Sequence, residues 1–181
     1  MQWRNSANRY GLLTKLLHWL TATLIIGLIW LGWYMVDLSY FDRWYTDALA
    51  WHRVLGLVVF GLGVATLGWR LVSPSPAPVA TLKPWERVLG TAMHHLLFVM
   101  VFTIPLTGYL VSTSAGKSVS VFGWFDVPPL FEVDSGLRDA AIEAHFYLAY
   151  TTAVLVAMHA GAALKHQLLD RDGTLARMLW K

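Results

Sequence analysis

Four long apolar runs constrain this chain more than any other feature: Leu16 to Val36, Ala48 to Val72, Val88 to Thr113 and Ala144 to Leu164. Each is long enough to cross a bilayer as a helix. Hydrophobic residues make up 56% of the 181 and charged residues only 14%, a balance that a soluble domain of this size does not need. The runs lack the alternation of a membrane barrel, so strands fit poorly. The expected fold is all-α: an integral membrane four-helix bundle, one domain over residues 1–181, with helices at about 12–36, 48–72, 88–113 and 142–168. Arg4, Arg9 and Lys15 precede the first run as they would in a signal peptide. That run is too long for a signal core, and no small-residue cleavage site follows it, so it reads as a retained helix.

Four spans bring both termini to one side. That side carries ten basic residues: Arg4, Arg9, Lys15, Arg70, Lys83, Arg87, Lys165, Arg171, Arg177 and Lys181. The other carries four: Arg43, Arg53, Lys117 and Arg138. The positive-inside rule therefore predicts cytoplasmic termini. Anionic lipid of the inner leaflet is a sufficient counterpart for the net charge of +3, and no nucleic-acid partner is needed. Nine of the ten tryptophans, Trp180 among them, fall near predicted interfaces, where an indole ring anchors; Trp30 lies deeper. The Ser-Pro-Ser-Pro-Ala-Pro stretch from Ser73 cannot continue a helix. The segment Ala115 to Leu130, with Gly116, Gly123, Pro128 and Pro129, reads as a long external loop.

The chain has no cysteine, which excludes a disulfide, an iron–sulfur cluster, a thiolate zinc site and covalent haem attachment within it. Its seven histidines avoid the middle of every span and fall in two layers. His52 and His145 lie at the external ends of the second and fourth helices. His18, His94, His95, His159 and His166 lie toward the cytoplasmic ends. Histidine in a membrane helix is costly unless paired or bound to something. His145 and His159 are fourteen residues apart, so they share nearly one helix face and stand about 21 Å apart along it. Ala149, Thr152, Val156 and Ala163 continue that face, a small-residue stripe that suits a flat macrocycle and helix–helix packing equally well. A structural zinc ion gathers three or four ligands at one point. Two ligands from different helices at each depth suit haem iron, and two imidazoles leave no open position for oxygen. The residue pattern alone leaves His94 and His95 open as alternatives to His18 in the cytoplasmic layer.

Several segments together resemble the bacterial cytochrome b561 family of small di-haem membrane proteins. They are Leu16-Leu17-His18-Trp19-Leu20, Trp51-His52-Arg53 with Gly56, Trp69-Arg70 before the Pro-rich turn, His95-Leu96-Leu97, Pro105-Leu106-Thr107-Gly108, Phe122-Gly123-Trp124-Phe125 with Pro128-Pro129, Ala144-His145, and Met158 through His166. Their order and spacing cover nearly the whole chain. The resemblance implies two non-covalent b haems, with His18 and His159 on the cytoplasmic-side iron and His52 and His145 on the periplasmic-side iron. It implies a multi-pass protein of the bacterial inner membrane that exchanges electrons with quinone, ubiquinone being the expected partner. Some members oxidise superoxide on the outside.

Other residues keep two readings each. His95 fits a quinone site or a structural role. His166 can hydrogen-bond a quinone carbonyl or stand as a solvated helix-end histidine. Arg53 and Arg70 can pair with haem propionates or snorkel to the interface. Lys117 can attract an anionic donor or serve as an ordinary loop residue. Met35, Met93, Met100 and Met158 are expected to pack rather than ligate. Pro105 is expected to kink the third helix. Two other functions compete with quinone-linked electron transfer. One is a haem-bearing membrane anchor for a dehydrogenase. The other is a four-helix transporter or metal-binding protein, disfavoured by the Leu, Val, Ile, Ala and Gly at deep positions.

Overall fold

The computed structural model describes residues 2–179; Trp180 and Lys181, counted above with the interfacial tryptophans and the basic side, lie outside them. Four long helices follow one another: α1 (Leu12–Val36), α2 (Tyr45–Val72), α3 (Pro84–Thr113) and α4 (Ser135–Lys165). All four are long and apolar enough to cross a membrane. A two-stranded ribbon, β1 (Val119–Val121) and β2 (Phe125–Val127), lies between α3 and α4. A five-residue π-turn (His166–Asp170) and a short helix, α5 (Ala176–Leu179), end the described chain. Consecutive helices pack on one another, whereas α1 and α4 touch only narrowly. The bundle therefore has a loop end and an end that gathers both terminal segments.

Three of the four helices start at local signals outside the apolar runs. Asp134 caps α4, its Oδ1 accepting from Leu137 N–H at 2.7 Å, so the helix begins at Ser135 rather than near residue 142. Pro84 opens α3, where a missing N–H is no loss, and Glu86 Oε2 accepts from Lys83 N–H at 3.0 Å. Asp47 lies in the first turn of α2, which begins at Tyr45. In the preceding turn, Asp42 accepts from the Ser39 hydroxyl and N–H, both at 2.7 Å, and these bonds hold its carboxyl below the usual range. The loop after α3 is more ordered than its Gly and Pro content predicts. Val119 and Val121 bury one face of β1, and the reversal runs through Phe122 (φ 53°) and Gly123 (φ 72°). Phe122 holds a left-handed conformation unfavourable for a bulky residue while its ring lies 5.6 Å from that of Trp51 on α2. Helix α3 continues through Pro105 as one element to Thr113.

At the other end Asn5 ties the N-terminal segment down. Its side-chain amide donates to the carbonyls of Ser73 and Pro74, and its Oδ1 accepts from Gly11 N–H and the Thr14 hydroxyl. Trp69 donates to the same Thr14 hydroxyl at 2.9 Å. Trp19 Nε1 donates to Met178 O, and Arg177 reaches Ala77 O and the ring of Tyr10. The two terminal segments and the α2–α3 connection thus form one hydrogen-bonded cap.

The α2–α3 seam depends on Gly63. A Cβ there would stand 2.6 Å from Val101 Cγ1 and 3.1 Å from Phe102 Cζ. Gly61, two residues away, faces open space. Gly63→Ala is expected to destabilise by ~1–3 kcal/mol through overpacking, and Gly61→Ala to be neutral or slightly stabilising through helix propensity. Thermal unfolding of the two variants in one detergent checks the contrast.

Candidate cofactor site

The helices bring histidines together at two levels. Near the loop end, His52 of α2 and His145 of α4 face each other with ring centroids 6.0 Å apart. Near the terminal end, His18 of α1 lies 6.3 Å from His159 of α4. His94 of α3 also approaches His159, at 5.3 Å. The adjacent His95 does not join this group. Its ring is exposed, and its Nδ1 donates to Thr91 O one turn back at 2.8 Å. Neighbouring helix positions point about 100° apart, so only one of the two can turn toward α4.

The loop-end pair sits in a shaped seat. His145 Nδ1 lies 3.1 Å from Ile104 O, an acceptor, so the proton is on Nδ1 and Nε2 carries the lone pair. The Thr107 hydroxyl also lies 3.1 Å from this Nδ1 while donating to Ile104 O at 2.8 Å. Each ring rests on a glycine of the next helix. A Cβ on Gly108 would come within 3.0 Å of His145 Cε1, and one on Gly32 within 3.4 Å of His52 Cε1. Among the described residues, nothing hydrogen-bonds the buried Nδ1 of His52. Around the pair lies a cavity of about 540 Å³, whose lining includes Gly56, Ala149, Thr152, Val59 and Val101. That is within the usual range for a bound organic cofactor, and its walls are mainly apolar with a few polar groups.

The fit to a bis-imidazole metal can be checked from bond lengths. An imidazole nitrogen binds a metal at about 2 Å and lies just over ~1 Å from its own ring centroid, so two trans imidazoles have centroids about 6 Å apart. Separations of 6.0 and 6.3 Å match that span, whereas 5.3 Å is short of it. Glycines under the rings, a carbonyl acceptor that fixes one tautomer and a mainly apolar cavity are compatible with haem.

The remaining candidates are spread around the bundle. Arg53 lines the loop-end cavity and is exposed. Arg70 lies over the ring of Phe98, 4.4 Å from its centroid, at the terminal end. Lys117 is exposed between α3 and β1, at the loop end and away from the terminal-end histidines. His166 lies beyond α4 among charged groups, its Nδ1 at 2.9 Å from Asp170 and 2.8 Å from Asp172. Of the small-residue stripe on α4, Ala149 and Thr152 line the cavity, as does bulky Tyr150, which stacks near Trp33. The seats at Gly32 and Gly108, the Ile104 carbonyl and the carboxylates around His166 carry no signal that spacing alone reveals.

A membrane four-helix bundle with imidazoles paired between helices at two depths is the architecture of a haem-holding electron carrier. Residues 9–181 match the family model of prokaryotic cytochrome b561, so the chain belongs to the prokaryotic cytochrome b561 family. It is 43% identical over 182 residues to cytochrome b561 homolog 2 of Escherichia coli K12, covering all of this chain and 96% of that one. It is 28% identical to cytochrome b561 homolog 1 of the same organism over 95% of this chain and 97% of the relative. A third relative, "Probable superoxide oxidase CybB" of Yersinia pestis, is 27% identical over 96% of this chain and 97% of its own. The family binds b haem and transfers electrons within bacterial membranes, and so does this protein.

The glycine seat yields a test. Gly108→Val is expected to push the His145 ring off its position, because even the first added carbon meets Cε1 at 3.0 Å. Haem content per protein should fall by about half if one of two sites is lost, while Gly90→Ala, which faces open space, should leave it unchanged. Pyridine haemochrome assays of both variants check this.

Proposed function

We propose that the protein holds two b haems, one between His18 and His159 and one between His52 and His145, and carries electrons between a donor at the loop end and quinone at the terminal end. The observation that carries the reading is the pair of histidine contacts at 6.0 and 6.3 Å, on two levels. The shorter His94–His159 spacing favours His18 over His94 as the partner of His159. When bound, b haem supplies one-electron redox chemistry. Held by His18 with His159 and by His52 with His145, the irons would have no site open to oxygen, which would favour electron transfer. Arg53 beside the loop-end cavity and Arg70 at the terminal end are suited to anionic propionates.

Sidedness follows from the basic residues. With the terminal end in the cytoplasm, the loop end faces the periplasm and the protein sits in the inner membrane. The donor at the loop end is superoxide in this reading, supported by the name of the Yersinia pestis relative and by the exposed cation Lys117. Two superoxide anions are oxidised to two oxygen molecules as one ubiquinone takes two electrons and two protons to become quinol. Exposed His95 and the half-buried His166 lie at the end where the quinone binds.

Pyridine haemochrome assay of the purified protein should give close to two haems per chain. His52→Ala and His145→Ala should each remove the same redox component, and His18→Ala and His159→Ala the other, in potentiometric titrations. Loss of the second component from His94→Ala but not from His18→Ala would overturn the assignment. Lys117→Glu is expected to slow haem reduction by superoxide several-fold at low ionic strength and to leave reduction by a neutral donor unchanged. Stopped-flow traces with both donors, repeated at high salt, check the steering role.

A further inference from the structure

The end of α4 departs from ordinary helix geometry at one place, and charged residues converge there. From His166 to Asp170 the helix widens into a π-turn, closed by the Arg171 N–H on His166 O. Arg171 then adopts a left-handed conformation (φ 53°), which turns the chain back. Such features persist only where the surroundings hold them, and they concentrate at functional sites. Here the result is that Asp170 and Asp172 both reach the same atom, His166 Nδ1, at 2.9 and 2.8 Å. The Asp172 side chain is only 3% exposed, and its other oxygen accepts from Thr174 N–H at 2.8 Å. Burial opposes its charge, but the hydrogen bonds from Thr174 and His166 outweigh that and hold the carboxyl below its usual range. Lys165 bridges Asp170 at 2.6 Å and Glu86 of α3, tying the turn to a second helix. The positions of Glu86, His166 and Asp170 would permit a metal ion, but the Lys165 ammonium already contacts both carboxylates.

We propose that Asp172, supported by Asp170, makes His166 the proton donor to the quinone. The proposal rests on the reading that quinone is reduced at the terminal end. With Nδ1–H engaged by carboxylates, Nε2 is the nitrogen left to meet a ligand. A carboxylate in this position fixes the orientation of the ring and stabilises its cationic form. Three carboxylates, Glu86, Asp170 and Asp172, surround His166 against one ammonium, Lys165. As electrons from the donor side reach the quinone, the Nε2–H bond breaks and an O–H bond forms on a quinone oxygen. The imidazole is left neutral, its Nδ1–H still on Asp172. Water at the terminal end returns a proton to Nε2, and a second cycle delivers the second proton, so quinone, two electrons and two protons give quinol. His166 is the catalytic residue; Asp172 and Asp170 are positioning residues.

The test uses the full-length haem-loaded protein, reduced anaerobically and mixed with a short-chain benzoquinone in a stopped-flow instrument across a range of pH. Asp172→Asn is expected to slow haem reoxidation at least about tenfold near neutral pH, with the apparent KM for quinone changed less than about threefold. Asp172→Glu should restore most of the rate. His166→Gln should slow the reaction at every pH while both haem spectra persist. If His166→Gln is slow but Asp172→Asn keeps the unmodified rate and pH profile, the role of Asp172 is overturned and the quinone reading stands. If both variants behave as the unmodified protein, the placement of quinone beside His166 falls, and the proton-donor role with it. Should Asp172→Asn lose its haem spectrum, the unmodified protein decides. Reoxidation slowed at least about twofold in D2O supports proton delivery in the rate-limiting step, and an unchanged rate overturns it.

Discussion

An imidazole in hydrocarbon has to find a partner, and the arrangement of this bundle follows from that requirement. Each histidine pair joins helices that are not neighbours in sequence: α1 with α4 at one level, α2 with α4 at the other. The helix packing makes the same point from the other side. α1 and α4 touch only narrowly through their backbones, yet His18 and His159 meet across that seam. At that thin seam a ring contact between two histidines joins the first helix to the last.

Glycine placement and hydrogen bonding make the loop-end pair more than two rings in proximity. Gly32 and Gly108 let neighbouring helices come up under the imidazoles, and Ile104 O sets which nitrogen of His145 is free. A packing face of small residues alone would not orient a ring. The Thr107 hydroxyl adds a second restraint from the turn that follows Pro105. The family's b-haem chemistry is consistent with such a seat, in which the protein's contribution is orientation of ligands and exclusion of water.

The four spans were legible because run length is a strong signal in a chain this apolar. Helix ends were less so. The apolar run of α4 begins well after Ser135, where the Asp134 side chain starts the helix, and a cap is a matter of one hydrogen bond rather than of hydropathy. The two layers of histidines could be read from spacing, but the choice between His94 and His95 could not. They are adjacent, and the rotation of α3 about its axis decides which faces His159. The seats at Gly32 and Gly108 were hidden for the same reason, since they exist only between helices. The π-turn after Lys165 was hidden too: it depends on Arg171 taking a left-handed conformation that its side chain does not favour. The sequence shows His166 seven residues after His159; it does not show that two carboxylates fold back onto it.

His145 and His159 both belong to α4, the last span to be synthesised. Neither histidine pair can exist while only the first three helices are in the bilayer. During biogenesis His18 and His52 therefore enter the membrane without their partners, and only the insertion of α4 completes both levels together. On the proposed ligand assignment, cofactor capture waits for the insertion of α4. A nascent chain halted before Ser135 has the hydrophobicity of a membrane protein and neither of these histidine pairs.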